Sequence, residues 1–156
     1  WIQNSLAALA AIHSVGADVF DAAQSIASIS PLKGRGLRHR VRAKKFEFEL
    51  IDDSYNASPV SILAALEVLS RSRLEVGGRR LVVLGDMLEL GPGSRALHLK
   101  LATQIINNNV DLVFAAGLRM RDMFDSLPIA KQAYWSETSE ELLNAIVSRL
   151  QQNGGK

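Results

Sequence analysis

The segment RRLVVLGDMLELGPGSRALHLKLATQII, residues 79–106, decides the fold class. It begins with a short apolar run from Arg80 to Leu84, which is typical of a buried strand. A glycine-rich loop from Gly85 to Gly93 follows, and apolar residues then recur at helical spacing from Arg95 to Ile106. The segment therefore predicts a strand, a loop and a helix in succession, as in a parallel β-α-β unit.

The same alternation extends in both directions from this segment. Upstream, the pattern predicts a strand over Phe46 to Ile51 and a helix over Pro59 to Leu69. Downstream, strands and helices are expected in turn over Leu112 to Ala116, Leu118 to Phe124, Gln132 to Trp135 and Glu137 to Leu150. Such alternation implies right-handed crossovers. It predicts an α/β fold, with a mostly parallel sheet that carries helices on both faces.

A short helical segment is predicted before the sheet. Ser5 to Val15 carries apolar residues at helical spacing and ends at Gly16, and a second short helix is expected over Val19 to Ile26. From Pro31 to Lys45 the sequence becomes basic and glycine-containing, which indicates a linker that leads into a polar strand. We place the domain boundary in this linker. The expected parts are a helical tail, a linker with the first polar strand, and a main domain, over residues 1–30, 31–45 and 46–156.

The composition is that of an ordinary globular protein. Of 156 residues, 47% are hydrophobic and 22% are charged, and the net charge is +2, which indicates one domain with an appendage. Cysteine is absent, so disulfides and thiolate metal sites are excluded, which fits a reducing cytoplasm. No apolar run reaches the roughly 18 residues that span a bilayer, and the first residues lack a signal-peptide pattern. No partner class follows from the charge balance. We expect a cytoplasmic monomer that binds neither membrane nor nucleic acid and has no metal ligand in this segment.

The basic linker admits two interpretations. Its seven basic residues are Lys33, Arg35, Arg38, Arg40, Arg42, Lys44 and Lys45. They could bind nucleic-acid phosphates, but no aromatic residue is interleaved with them to stack on bases. We prefer the interpretation of a solvated linker.

The loop after the first predicted strand, Asp52 to Pro59, is the first candidate site, because ligands of open parallel sheets bind beyond the carboxyl ends of the strands. A carboxylate such as Asp53 can accept both hydroxyls of a ribose, and Tyr55 offers a ring face to a base. Ordinary turn chemistry explains Ser58 as a helix N-cap and Pro59 as the first helical residue. For the two aspartates both interpretations stay open.

The loop after the second strand, Gly85 to Gly93, is the second candidate site. Its glycines let the backbone approach a ligand, and Asp86 and Glu89 supply charge, although a solvated turn is an equally good interpretation. A Walker A phosphate loop needs Gly-Lys-Ser or Gly-Lys-Thr, and neither string occurs in the chain. His98, on the following helix, is interpreted as a packing or capping residue in preference to a catalytic one.

Two strings in these loops closely resemble the Mur ligase family of cell-wall enzymes, and within it the members that add D-alanyl-D-alanine. They are IDDSYNASP, residues 51–59, and VLGDMLELG, residues 83–91. The opening NSLAALAA, residues 4–11, is similar to the end of that family's central ATPase domain. The string PLKGRG, residues 31–36, is similar to its hinge. The resemblance covers almost the whole chain.

The resemblance implies a three-domain enzyme of which this chain holds the Rossmann-like carboxyl-terminal domain and the helical tail of the central domain. The first domain of the family holds a UDP-sugar, and the central domain holds most of the contacts to ATP and magnesium. The expected activity is an ATP-dependent ligase that activates a carboxylate as an acyl phosphate and then forms an amide. The implied partners are UDP-N-acetylmuramoyl-tripeptide and D-alanyl-D-alanine, as substrates of peptidoglycan synthesis.

The resemblance also assigns expected roles to single residues. By matching position, Asn4 would lie near the adenine of ATP, Arg35 would reach its phosphates and Asp53 would bind its ribose. The remaining residues assigned to the ATP site are Tyr55 and Asn56. A substrate-side loop would contain Asp86 and Glu89. No catalytic residue is expected in this segment of the enzyme.

The sequence departs from the family pattern in three respects. The phosphate loop, the modified lysine and the magnesium ligands of the central domain are missing. The chain stops at Lys156, just before the family's final strand, so we expect an incomplete sheet edge and dipeptide site. Ser58 stands where an asparagine is common. The chain by itself is therefore expected to be inactive.

Three other interpretations compete with this one. A receiver-like signalling domain also begins with a strand that ends in paired aspartates, but it needs a phosphoacceptor aspartate after the third strand, where this chain has Ala116 and Gly117. Folylpolyglutamate synthases share the domain architecture, but their loop carries a histidine at the position of Asn56. A non-catalytic binding module is the third alternative.

Overall fold

The computed structural model describes residues 2–43 and 46–152, which fall into two compact units, residues 1–32 and 33–156. In the first unit, α1 (Ile2–Ser14) and α2 (Val19–Ala27) are joined by a turn at Gly16, whose φ of 75° suits glycine. The carboxylate of Asp18 caps α2, because it accepts the backbone N–H groups of Phe20 and Asp21 at 2.7 and 3.0 Å. Both helices were predicted, although α1 begins three residues earlier than expected.

The second unit begins with a charged β-hairpin formed by β1 (Leu37–Ala43) and β2 (Phe46–Asp52). The strands pair antiparallel, with Leu37 opposite Asp52. Arginines of β1 face glutamates of β2: Arg38 contacts Glu49 at 2.8 Å, and both Arg40 and Arg42 contact Glu47. These pairs place the basic residues of the predicted polar strand on an exposed, ion-paired surface. Lys44 and Lys45 lie outside the described residues.

The pairing of β2 differs from the expectation drawn from the alternating pattern. The pattern grouped Phe46 to Ile51 with the parallel sheet, whereas within the described residues this strand pairs with β1 in a separate two-stranded sheet. The physical reason is local: β1 immediately precedes β2 along the chain, and the opposite charges of the two strands attract across the ladder.

The remaining elements form the predicted α/β layer structure. They are α3 (Pro59–Arg71), β3 (Leu81–Gly85), α4 (Ser94–Asn107), β4 (Leu112–Ala116), α5 (Met120–Asp125), β5 (Gln132–Ser136) and α6 (Ser139–Gln152). The three strands run parallel in the order β3-β4-β5. Consecutive residues of β4 point to opposite faces, and Val113, Phe114 and Ala115 are all buried, so helices cover both faces. The predicted fold class is confirmed.

The core of this layer is apolar and joins the helices to the sheet. It includes Ile62 and Leu66 from α3, Ile105 from α4, and Met120 and Met123 from α5. Because the three strands are parallel, their carboxyl ends lie together at one end of the sheet. The loops that follow Gly85, Ala116 and Ser136 lie at this end. Among the described residues, no helix is both long and apolar enough to cross a membrane.

Candidate functional site

A pocket of about 230 Å³ lies between the hinge segment, residues 34–36, and the loop that follows β2. It is lined by Gly34, Arg35, Asp53, Tyr55, Asn56, Ser58 and Ser61. Four residues that the sequence marked as candidates for nucleotide contact therefore come together here: Arg35, Asp53, Tyr55 and Asn56. The hinge and the loop are separate in sequence and meet in space through direct hydrogen bonds.

Asp52 joins the two segments through its side chain and its backbone. One carboxylate oxygen accepts the backbone N–H of Gly34 at 3.0 Å, and the backbone carbonyl accepts the N–H of Gly36 at 2.8 Å. The other carboxylate oxygen accepts the hydroxyl of Ser54 at 2.6 Å and its N–H at 3.2 Å. The N–H of Tyr55 donates back to the carbonyl of Gly34 at 3.0 Å. Asp52 is thus the structural member of the aspartate pair.

The hydrogen bonds to Asp52 also set its acidity. The Ser54 hydroxyl, followed by the Ser54 N–H, holds the pKa of Asp52 below its ordinary value, and the Gly34 N–H and the charge of His39 act in the same direction. The carboxylate of Asp52 therefore stays ionised to a lower pH than a free aspartate does. It continues to accept these hydrogen bonds while it is ionised.

Gly34 is required where the hinge meets the loop. Its φ is 76°, and a Cβ at this position would lie 3.0 Å from both the Cβ and the backbone nitrogen of Tyr55. Any other residue would be strained in its backbone and crowded against Tyr55 at once. Gly34 and Ser61 line the pocket although the sequence did not single them out as site residues. The signal available for Gly34 was its position in the string PLKGRG, residues 31–36.

The charged groups of the pocket are Arg35 and Asp53. The guanidinium of Arg35 lies over the ring of Tyr55, with 4.1 Å between its Cζ atom and the ring centroid. Tyr55 was expected to offer a ring face to a base, and the structure shows that Arg35 covers one of its two faces. Within residues 2–43 and 46–152, the exposed carboxylate of Asp53 has no hydrogen bond or ion pair, so it is available to a ligand.

The amide of Asn56 keeps a group that could contact a ligand, whereas the hydroxyls of Ser58 and Ser61 have a structural role. The Oδ1 atom of Asn56 accepts the N–H of Ala57 at 2.8 Å, which leaves its NH₂ group for donation. Ser58 caps α3: its hydroxyl accepts the N–H of Ser61 at 3.2 Å, and the Ser61 hydroxyl accepts the N–H of Ser58 at 2.9 Å. Pro59 begins the helix. The structural interpretation of Ser58 and Pro59 is confirmed.

Asp86, in the second candidate loop, anchors the start of α5. Its two carboxylate oxygens accept the backbone N–H groups of Met120 at 2.9 Å and Arg119 at 3.2 Å. Gly117 makes room for this carboxylate, since a Cβ there would lie 2.4 Å from the Cγ atom of Asp86. Glu89 is exposed and has a φ of 60°. Neither acidic residue lines the pocket described above.

His98, on α4, is hydrogen-bonded to the same loop. It is fully buried, its Nε2 atom accepts the backbone N–H of Met87 at 3.0 Å, and its Nδ1 atom lies 2.7 Å from the carbonyl oxygen of Ser94. A neutral imidazole with its proton on Nδ1 satisfies both bonds. This geometry agrees with the interpretation of His98 as a packing residue.

One residue assigned to the nucleotide site belongs to the other unit. Asn4 is exposed on α1 in the first unit, and its role near a base stays a prediction. In the part of the chain that the structure describes, no group of three or more His, Cys, Asp or Glu side chains could hold a metal ion.

Comparison with known proteins identifies the family. Residues 38–155 match the family model described as Mur ligase, glutamate ligase domain. The UDP-N-acetylmuramoyl-tripeptide--D-alanyl-D-alanine ligase of Bacillus subtilis is 36% identical over 116 residues, which are 74% of this chain and 24% of the relative. The ligase of the same name from Rickettsia prowazekii is 32% identical over 144 residues, which are 92% of this chain and 30% of the relative.

A solved structure gives the same result. MurF from Acinetobacter baumannii superposes with a TM-score of 0.79 at 27% identity, and the match covers 97% of this chain and 31% of that one. This chain spans about a quarter to a third of the length of the relatives that it matches. The chain therefore belongs to the Mur ligase family, and residues 38–155 correspond to the glutamate ligase domain of that family.

Proposed function

We propose that this chain is the carboxyl-terminal part of an ATP-dependent ligase that joins D-alanyl-D-alanine to UDP-N-acetylmuramoyl-tripeptide in peptidoglycan synthesis. The observation that carries the proposal is the agreement between the domain match over residues 38–155 and the name shared by both curated relatives. A receiver-like module is a poorer explanation, since β4 ends at Ala116 without a phosphoacceptor aspartate.

The proposed reaction has two steps. A carboxylate of the tripeptide attacks the terminal phosphate of ATP to give an acyl phosphate and ADP, and the amine of D-alanyl-D-alanine then displaces phosphate and forms the amide. The family's central domain would supply the phosphate loop and the magnesium ligands. None of the roles that we assign to this chain involves the magnesium ion.

The pocket beside the hinge would serve the nucleotide. The Asp53 carboxylate, which has no partner in the described part of the chain, suits the two hydroxyls of a ribose. The NH₂ group of Asn56, which also has no bond to a described residue, suits an acceptor on the sugar or base. Arg35 suits phosphate oxygens because a guanidinium donates in a fork that matches them. With one arginine and a volume of about 230 Å³, the pocket suits part of a nucleotide, and other domains would hold the rest.

The first unit would be the end of the central domain. A two-helix unit of this size cannot bury a core of its own, and no residue of α2 is buried. Large apolar side chains of this unit are instead exposed, among them Leu6, Val15, Phe20 and Ile29. Their exposure supports the assignment of residues 1–30 to a domain that continues outside this chain, where Asn4 would approach the adenine.

The Gly85 to Gly91 loop would face the substrates. Asp86 is occupied in holding α5, so the exposed Glu89 is the acidic side chain of the pair that is available to the amine of the dipeptide. We assign Asp86 to positioning and Glu89 to contact. The enzyme would act as a cytoplasmic monomer without attachment to a membrane.

The test is an assay of the longer gene product that includes this chain. We expect one ADP and one phosphate for each UDP-N-acetylmuramoyl-pentapeptide formed from the tripeptide and D-alanyl-D-alanine. We also expect the coding sequence upstream to contain a Gly-Lys-Thr or Gly-Lys-Ser phosphate loop. Glutamate with a reduced folate is the competing substrate pair, and product from that pair alone would replace the proposal with a folylpolyglutamate synthase-like function.

A further inference from the structure

A second pocket, of about 410 Å³, lies at the amino ends of the parallel strands, opposite their carboxyl ends. It is lined by Arg79, Asp111, Leu112, Pro128, Ala130, Lys131 and Arg149. Arg79 precedes β3, Asp111 and Leu112 stand at the start of β4, and Lys131 precedes β5. Its volume falls within the roughly 300–1,000 Å³ typical of small-molecule sites.

Cationic side chains dominate this second pocket. Arg79, Lys131 and Arg149 line it together with a single carboxylate, that of Asp111. That carboxylate is already engaged, because its Oδ2 atom accepts the backbone N–H of Arg80 at 2.7 Å. The positive charges of Arg79 and Lys131 alone outnumber the one negative charge of the lining, that of Asp111.

The two adjacent arginines before β3 differ in a way that points to a ligand. Arg80 is bonded within the fold: its Nε and Nη2 atoms donate to the carbonyls of Leu69 and Ser72, both at 3.0 Å, at the end of α3. The Nε atom of Arg79 is buried and has no hydrogen-bond partner among the described residues. A buried donor without an acceptor is destabilising, so a partner from outside the described residues is expected.

Lys131 provides a second donor group. Its Nζ atom donates to the carbonyl of Val110, which fixes the ammonium at the start of β4. An ammonium has three N–H donors, so two remain for a ligand in the pocket. An arginine fork and a fixed ammonium that line the same cavity are the groups that recognise phosphate oxygens in proteins.

We propose that this pocket binds a phosphate group, either as the free ion or as part of a small phosphorylated molecule. The negative charge of a phosphate balances the cationic excess, and its oxygens accept N–H groups of the Arg79 guanidinium and the spare donors of Lys131. The proposal is independent of the proposed ligase activity, since it rests on groups at the amino ends of the strands.

The experiment is an NMR titration of the ¹⁵N-labelled chain with inorganic phosphate and, separately, with glycerol phosphate, at constant ionic strength set by potassium chloride. We expect a saturable shift of the Arg79 Nε–Hε signal. Tighter binding of glycerol phosphate would identify a phosphorylated molecule as the ligand, and equal or tighter binding of inorganic phosphate would identify the free ion. A signal that stays unchanged, or that moves without saturation, in both titrations would overturn the proposal.

Two variants and one matched control separate a built site from general charge. Arg79→Gln and Lys131→Gln are each expected to weaken binding by at least about tenfold, whereas Arg73→Gln, an equal change of charge at an exposed residue outside the pocket, should leave it unchanged. Equal weakening of phosphate binding by Arg73→Gln would show attraction by net charge alone and would overturn the proposal. If Arg79→Gln does not fold, Lys131→Gln and the wild-type titration still decide the question.

Discussion

The guanidinium of Arg35 lies over the ring of Tyr55, with its Cζ atom 4.1 Å from the ring centroid, and both residues line the pocket that we assign to a nucleotide. At an exposed site such a contact is worth only about 0.5–1 kcal/mol. The ring contact by itself is therefore a weak constraint on the Arg35 side chain. Gly34 and Gly36 on either side have φ values of 76° and 85°, so the hinge backbone already uses conformations that favour glycine.

The first prediction follows from this position of Arg35. If the carboxyl-terminal domain closes over ATP late in the cycle, Arg35→Ala in the intact ligase lowers turnover about 10- to 150-fold, the loss expected for one charge-assisted hydrogen bond of 1.5–3 kcal/mol. ATP binding to the open enzyme should change much less. Single-turnover kinetics would measure both steps. Arg73→Ala is the control, and near-normal acyl-phosphate formation in Arg35→Ala would reduce Arg35 to a linker charge.

A second prediction concerns Gly34. Gly34→Ala should lower the free energy of unfolding by about 1–3 kcal/mol, because it combines a strained backbone with a contact of the new Cβ on Tyr55. Gly91→Ala is the matched control, since Gly91 also has a positive φ, of 63°, but a Cβ added there would meet no atom within 4 Å. Urea unfolding followed by circular dichroism should give a larger loss for Gly34→Ala. Equal losses would mean that the approach of Gly34 to Tyr55 carries no weight.

The alternation of strand and helix patterns was sufficient to predict the parallel sheet, although only β4 is buried along most of its length. Strands β3 and β5 each have an exposed residue, Val83 and Tyr134, so their apolar runs are weaker signals. The alternation was insufficient for β2, since periodicity reports burial and not the identity of the neighbouring strand. The arginines of β1 and the glutamates of β2 form a complementary pattern that would have indicated the hairpin, had cross-strand charge been considered.

The candidate site was predictable in its location and less so in its roles. Asp53, Tyr55 and Asn56 stand in one loop, and the sequence placed that loop at a strand end. The loop sequence by itself leaves the two aspartates equivalent, and the family resemblance assigns Asp53 to the ligand. The structure adds that Asp52 is bonded to the hinge and that Asp53 lines the pocket. The role of Asp86 depends on Gly117, a distant residue in sequence, so no local pattern could reveal it.

A third prediction concerns acid stability. The folded-state pKa of Asp52 is depressed, so its contribution to stability is fully present above its ordinary value of 3.8 and is lost as the pH falls through the folded value. Ser54→Ala removes the largest cause and should raise the pKa of Asp52 and move the acid loss of stability to higher pH. Carbon-13 NMR of the carboxylates would measure this change. The pKa of Glu47, lowered by hydrogen bonds from Arg42 and Arg40, is the internal control and should not move.

A fourth prediction concerns the chain by itself. We expect no ATP hydrolysis and no ligation, because the phosphate loop belongs to another domain. ATP should bind in the millimolar range or more weakly, on the order of 4 kcal/mol, since ribose and base contacts cannot replace those of the phosphates and magnesium. Calorimetry and phosphate release are the measurements, with Asp53→Ala as the control. Micromolar affinity, or phosphate release above the control, would show that the nucleotide site is largely contained in this chain.

The last prediction tests whether Asp86 and Gly117 act as one structural unit. Asp86→Ala should cost about 0.5–2 kcal/mol, because it uncaps α5. Gly117→Ala should cost more than Gly91→Ala, since its Cβ would lie 2.4 Å from the Cγ atom of Asp86 and must displace the carboxylate from the helix. In the Asp86→Ala background that collision is gone, so Gly117→Ala should then cost about 1–2 kcal/mol less than it does in the wild type. Urea unfolding of the four proteins of this double-mutant cycle gives the coupling energy directly. Strict additivity would mean that the Asp86 carboxylate can move away from Gly117 without loss, and the assignment of Asp86 to positioning the loop and α5 would then be wrong.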